Sequence, residues 1–374
     1  MKISGLIKIG FAEILGTGIS AIFWLYMATV IEPDDFGEIF YFIGIAALAG
    51  IFSLIGTQNT LVVYIAKKIK IQSTLNFISL IAGGISFIVI IIIFNRLDAS
   101  LLILGYVVNT LAIGDLLGRN LHKSYAKYFL TQKILTLVLG FSFYYLFDVQ
   151  GIIYALVLSY AAYSIRVYKG LKESKIDFSQ LKPRLGFIGN NYGMVLVNSS
   201  KNQVDKIIIA PLLGFSILGN YALALQIVGI MLILTSIVFK YILSQDAVGI
   251  RNNNLKRLVF LSSIIITILG YLFSPIIIYE LFPKYNEAAD AIQIMSFLVI
   301  PSTISMIYTS KFLGLEKSRF VIISKIVSLI SIIIGMAVLG PMFGIIGLAI
   351  SYVLSVTVEA MIFILIDFKL KSEN

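Results

Sequence analysis

The chain has no cysteine and a single histidine, His122, among its 374 residues. The first absence excludes a disulfide framework, a thiolate zinc site and a cysteine nucleophile; the second excludes a multi-histidine metal centre. Charge is also scarce. Only 13% of residues are Asp, Glu, Lys or Arg, about half the share of an average soluble domain. Acidic residues are the rarer kind, 19 against 29 basic, and the net charge is +10. What fills the chain instead is apolar: 59% of residues are hydrophobic and the mean hydropathy is +0.98. Enzyme signatures are missing as well. There is no Ser-His-Asp arrangement at suggestive spacing, no Gly-Lys-Ser/Thr phosphate loop and no metal-ligand cluster, and the breaks between apolar runs are too short to hold a folded active site. We therefore expect neither an enzyme nor a bound cofactor.

The apolar residues come in runs of about twenty, the length that carries a helix across the hydrocarbon core while its backbone bonds stay internal. The pattern predicts helices near 9–31, 37–65, 75–94, 100–118, 128–147 and 151–168, then 186–211, 219–243, 257–282, 287–313, 319–339 and 344–366. The second run is interrupted by Gln58-Asn59-Thr60. The start, MKISGLIKIG, leads directly into the first run, which is long for a cleaved leader and has no A-x-A site, so we read it as a span.

The polar breaks alternate in sign. Lys67, Lys68 and Lys70, then Arg119, Lys123 and Lys127, then Lys169 to Arg184, then Arg251, Lys256 and Arg257, and finally Lys317 and Arg319 mark one side. The other side carries Glu32, Asp34, Asp35, Asp98, Asp148, Glu287 and Asp290, with Arg96 and Lys284 as its only basic residues. Basic loops stay in the cytoplasm, so this pattern predicts an even number of spans with both termini cytoplasmic in a multi-pass protein of the cell membrane. It also explains the net charge without nucleic acid: the cations are topology signals and anchors for anionic headgroups.

The chain reads as duplicated. Gly37, after the acidic turn Glu32-Pro33-Asp34-Asp35-Phe36, aligns with Gly219 at an offset of 182. Gly151-Ile152-Ile153 before the sixth run matches Gly344-Ile345-Ile346 before the twelfth, at an offset of 193. The expected architecture is thus an all-α integral membrane protein of about twelve transmembrane helices. They would form two six-helix lobes related by a pseudo-two-fold axis along the membrane normal, a known transporter plan. The lobes would span 1–168 and 186–374, joined by a cytoplasmic linker at 169–185.

Polar groups at bilayer depth are costly, which makes each a candidate functional residue. In the seventh run Asn191, Asn198, Asn202 and Asp205 follow at steps of 7, 4 and 3, one stripe of a continuous helix. Lys201 lies four residues before Asp205, close enough to pair, and Lys206 is expected to snorkel. Glu13, Thr17 and Ser20 draw a similar stripe on the first run. The two stripes are expected to line a shared substrate cavity; the competing reading is that small and amide residues only glue helices together. Gln58, Asp115, Lys240, Lys311, Lys325 and Glu359 form a second set, a cytoplasmic vestibule or coupling groups, with snorkelling as the alternative for the three lysines. Pro275 and Pro301 lie within runs and are expected to bend them.

Several stretches also resemble a known family. Ile31-Glu32-Pro33-Asp34-Asp35-Phe36-Gly37 is similar to the turn after the first helix of Wzx-type oligosaccharide flippases, polysaccharide exporters of the multidrug/oligosaccharidyl-lipid/polysaccharide (MOP) superfamily. Asn202-Gln203-Val204-Asp205-Lys206, running on to Leu218-Gly219-Asn220-Tyr221, resembles their seventh-helix segment. Phe312-Leu313-Gly314-Leu315-Glu316-Lys317 and Gly344-Ile345-Ile346-Gly347-Leu348-Ala349 resemble the turns before the eleventh and twelfth helices. The resemblance implies alternating access and transfer of a lipid-linked oligosaccharide to the outer leaflet, with H+ or Na+ coupling, and in it Lys201 is the local cation suited to an anionic head. The chain is short for the family and poor in cations within its spans. Two other functions compete: a MATE-like cation-coupled antiporter of drugs or organic cations, and a non-transporting scaffold for glycan-assembly proteins.

Overall fold

The computed structural model describes residues 3–55, 57–246, 252–315 and 317–372. Among these the regular elements are helical. In order they are α1 (Ile3–Val30), α2 (Pro33–Ser53), α3 (Thr57–Ala66), α4 (Gln72–Phe94), α5 (Leu97–Gly118), α6 (His122–Phe147), α7 (Gly151–Ser159) and α8 (Ala161–Leu171). Then come α9 (Leu185–Ser200), α10 (Val204–Leu213), α11 (Phe215–Met231), α12 (Ile233–Asp246), α13 (Asn253–Leu281), α14 (Asn286–Ser296), α15 (Val299–Gly314) and α16 (Ser318–Ser372).

Seven stretches among the described residues are long and apolar enough to cross a membrane. Two of them, His122–Leu171 and Ser318–Leu370, run 50 and 53 residues, more than twice the roughly 20 that a bilayer requires. Each turns back on itself. The first does so between α6 and α7, where a Cβ at Gly151 would stand 2.5 Å from the Phe143 carbonyl oxygen. The second turns at Gly344, whose φ of 58° and ψ of −137° suit glycine alone. Two more crossings are bent pairs, α11–α12 at 48° and α14–α15 at 46°. Counting each doubled stretch twice and each bent pair once gives eleven among the described residues. The chain is thus an all-helical multi-pass membrane protein, in register with the apolar rhythm. Ile81, Ile85, Ile88 and Ile92 of α4 form an exposed stripe at helical spacing, the surface expected against lipid.

The helices cluster into two compact units. One comprises Met1–Trp24 and Phe42–Gln203, the other Leu25–Tyr41 and Val204–Asn374, so α1 and α2 contribute to both. In the first unit, α1 seats Gly16 against the Phe129 ring of α6, and α5 buries Leu102, Ile103, Val107 and Leu111. The polar start of α4 grips the end of α8 and the segment after it: Ser73 Oγ donates to the Gly170 carbonyl (3.0 Å), and Thr74 Oγ1 accepts from the Asp177 amide (2.9 Å). At the opposite end Arg96 forks onto Asp98 (2.8 and 3.0 Å) with its guanidinium 4.2 Å from the Phe42 ring centroid.

In the second unit the start of α2 crosses the start of α11. A Cβ at Gly37 would lie 1.9 Å from the Phe215 carbonyl oxygen, and one at Gly219 would lie 1.9 Å from the Pro33 carbonyl oxygen. Pro33 and Phe215 are themselves 182 residues apart, so the contact is reciprocal at the offset that relates the two halves of the sequence. Tyr285 closes this end by donating to the Ile31 carbonyl (3.0 Å) and stacking edge-on against Phe36.

Three local expectations differ from the structure. The second run breaks at Leu54–Ile55, not at Gln58-Asn59-Thr60, which lie inside α3; Ile55 takes a positive φ of 26°. The seventh run is not one helix. Its hydrogen bonds shift to three-residue spacing at Asn202→Ser199 (3.2 Å) and Gln203→Ser200 (3.0 Å), and α10 starts afresh at Val204. Ser199, Ser200 and Asn202 carry side chains that compete with backbone bonds, a composition that loosens a helix there. Finally, Lys206 does not reach for the interface. It is 9% exposed and its ammonium lies 3.2 Å from Asp205 Oδ1.

Candidate functional site

The break after α9 shapes a cavity in the first unit. Ala47, Gly50, Ile51 and Leu54 of the α2 segment form one wall, Tyr106 and Thr110 of α5 a second, and Ser199, Asn202 and Gln203 the third, around about 240 Å³. Gly50 lets the first two walls approach, since its Cβ position lies only 3.3 Å from Tyr106 Cβ. Tyr192 pins α9 by donating to the Phe52 carbonyl (2.9 Å). All the lining side chains are neutral. Gln203 Oε1 is buried and has no hydrogen-bond partner among the described residues. That oxygen has essentially no solvent-accessible surface, so it does not itself face the open space of the cavity.

Of the expected stripe, Asn202 is the member among the described side chains that lines this cavity. Asn191 donates to the Phe187 carbonyl of its own helix (2.9 Å). Asn198 lies on α9 with its side chain outside the described residues, and Lys201 is half-buried in the turn. Asp205 falls in the other unit, at the first turn of α10, where the helix dipole favours a carboxylate. It is 3% exposed and accepts from the Lys206 amide (2.8 Å) as well as from the Lys206 ammonium. The enclosed Tyr221 hydroxyl lies near this carboxylate without meeting hydrogen-bond geometry. Tyr352 of α16 is within electrostatic reach of both Asp205 and Glu359. On α1, Glu13 accepts from Tyr125 (3.3 Å), Ser20 is half-buried and Thr17 is exposed.

The second expected set divides between the two units, with Gln58 and Asp115 in the first and Lys240, Lys311, Lys325 and Glu359 in the second. Asp115 of α5, 2% exposed, is gripped by Arg119 (2.6 Å), Arg166 of α8 and the Gln72 amide (2.9 Å). Lys311 pairs with the buried Asp367 of α16 rather than only snorkelling. Glu359 is buried, Lys325 is half-buried on α16, and Gln58 is half-buried on α3. Lys240 lies on α12 with its side chain outside the described residues. Arg166, Asp246 and Asp367 went unremarked in the sequence because each resembles one more charge at a helix end. Asp246 holds Lys256 (2.7 Å) and the Ser310 hydroxyl (2.7 Å).

Comparison with solved structures recovers this arrangement of helices. The chain overlays an inward-facing multidrug resistance MATE family transporter of the MOP superfamily with a TM-score of 0.72, covering 96% of this chain and 94% of that one at 17% identity. It overlays the lipid II flippase MurJ in an inward closed conformation with a TM-score of 0.78, covering 98% and 87% at 13% identity. The fold is that of these proteins. An outward-facing MATE transporter of the same superfamily gives a TM-score of 0.67 over 98% and 96% at 16% identity. No family model and no curated protein matches the sequence. The likeness of fold extends over the chain almost end to end.

Proposed function

We propose that the chain is a membrane flippase. It would carry a lipid-linked oligosaccharide from the cytoplasmic to the outer leaflet by alternating access, for the assembly of a cell-surface glycan. The observation that carries this reading is the neutral lining of the cavity, with Tyr106, Thr110, Ser199, Asn202 and Gln203 as its polar residues. Hydroxyl, amide and phenol groups suit the hydroxyls of a sugar, and among the described residues no carboxylate lines the cavity to pair with an organic cation. The fold shared with MurJ, described as a lipid II flippase, supports the lipid-linked class of cargo. The motif likeness to Wzx-type flippases supports an oligosaccharide head. The alternating loop charges support cytoplasmic termini and the cytoplasmic membrane. Coupling to H+ or Na+ falls in this reading to the buried carboxylates Asp205 and Glu359, both within reach of Tyr352.

A second reading, the cation-coupled antiporter, is favoured by Glu13, a half-buried carboxylate on α1, and by the MATE neighbours. Variants separate the two. Gln203→Leu and Asn202→Ala each remove one neutral hydrogen bond, about 0.5–1.5 kcal/mol or roughly 2- to 12-fold in head-group affinity, and reduce glycan-lipid transfer with melting unchanged. Glu13→Gln abolishing efflux of a cationic dye, with Gln203→Leu silent in both assays, would overturn the flippase reading.

A further inference from the structure

At the basic end of the first unit, a cleft of about 340 Å³ opens between the ends of α5 and α8. We propose that it is a binding site for the phosphate-bearing headgroup of an anionic membrane lipid. The site is separate from the cargo cavity, and the inference holds whether that cavity carries a sugar or a cation.

The charge of the cleft is built, not scattered. Arg119, Arg166, Lys169 and Lys172 face Asp115 and Glu173, which leaves two positive charges in excess. Asp115 and Gln72 hold the arginines from behind: Arg119 Nε reaches Asp115 Oδ1 (2.6 Å), its Nη2 reaches Gln72 Oε1 (3.0 Å), and Arg166 Nε takes Asp115 Oδ2. Both guanidinium groups are therefore oriented before any ligand arrives, with edges left over. The forked geometry of arginine matches phosphate oxygens better than a lysine point charge does.

The front of the cleft is closed by an exchangeable group. Arg119 Nη2 also binds Glu173, whose side chain is 46% exposed and lies just past the end of α8. A phosphate that enters displaces this carboxylate and takes its place on Arg119. The Asp115 bonds behind remain, so the exchange leaves the buried network intact. Lys172, now 4.3 Å from the Tyr168 ring centroid, is within a side-chain swing of the same anion.

The depth and flank of the cleft select a lipid rather than a soluble phosphate. It sits where α5 and α8 end, the level at which headgroups and amphipathic rings meet. Ile165 and Tyr168 are 58% and 57% exposed and lie three residues apart on α8, one face of the helix. This apolar strip runs from the cleft along the span, a path for an acyl chain whose head is held by Arg166 and Lys169.

The test uses the full chain in phosphatidylcholine nanodiscs, with lipid binding counted by native mass spectrometry. Titrants are phosphatidic acid, phosphatidylcholine and inorganic phosphate. Phosphatidic acid is expected to bind at least about tenfold more tightly than phosphatidylcholine. The doubly exposed change Lys169→Gln with Lys172→Gln should weaken it several-fold with melting unchanged. Glu173→Gln removes the competing carboxylate and should tighten binding, a gain that a merely structural role for Glu173 does not produce. Equal binding of both lipids, or no response to the lysine and Glu173 variants, overturns the proposal. Inorganic phosphate competing as well as phosphatidic acid overturns the lipid assignment in favour of a soluble anion.

Discussion

Substituting alanine at Gly37 or Gly219 should prop open the crossing of α2 and α11. Each added Cβ would stand 1.9 Å from a backbone carbonyl oxygen, Phe215 in one case and Pro33 in the other. Ordinary contact begins near 3.4 Å, so the helices must part by about 1.5 Å, and the obstacle is backbone that has no rotamer to give. Overpacking of this kind costs about 1–3 kcal/mol. If the proposed alternating access opens this crossing, the cost falls only on the state in which it is closed, and shifts the balance toward opening by roughly 5- to 150-fold. The native chain has no cysteine, so Ile39→Cys, 3% exposed beside the crossing, provides a single reporter. Its reaction with a membrane-impermeant maleimide should accelerate within that range in either glycine variant. Unchanged labelling and unchanged melting in both variants would refute the reasoning.

Three further outcomes follow from the same structure. Asp115→Asn removes the anion shared by Arg119 and Arg166; with the arginines 30% and 22% exposed, the loss should sit near the low end of the buried-pair range, about 3 kcal/mol, visible as a lower denaturation midpoint. Gly344→Ala forces a side chain into a glycine-only conformation at the turn of α16 and should cost about 1–3 kcal/mol by the same assay. The exposed Asp177 carboxyl is held below its ordinary value by hydrogen bonds from the Ser179 hydroxyl and amide. Its depressed value means the turn it caps is supported above the ordinary carboxylate range, near pH 4, and loosens as pH falls through its lowered value; proteolysis at 178–182 should rise there and not in Asp177→Asn, whose amide oxygen accepts the same bonds at every pH.

The spans were legible because lipid demands runs of one length, and the acidic and basic breaks repeat faithfully from Glu32 to Arg319. The duplication was legible at Gly37 and Gly219 because a backbone crossing tolerates nothing larger. The site was less so. Asn198 to Asp205 satisfies helical spacing, yet the chain breaks inside it, since serine and asparagine side chains rival the backbone and no spacing rule records that competition. The break is what turns Gln203 into the wall of a cavity with Tyr106 and Thr110, two residues that look like ordinary span residues in sequence. Lys206 was misplaced for a similar reason. A lysine near a helix end usually snorkels, and only the fold reveals a buried carboxylate beside it that holds the ammonium in.

The most direct test of the account is a leaflet assay. The purified chain, reconstituted in vesicles, is given a fluorescent polyprenyl-linked oligosaccharide, and the fraction on the distal leaflet is read by a membrane-impermeant quencher or lectin. The account predicts transfer above empty vesicles, slowed by Gln203→Leu. Transfer no faster than in empty vesicles, with efflux of an organic cation by the same vesicles, would contradict it.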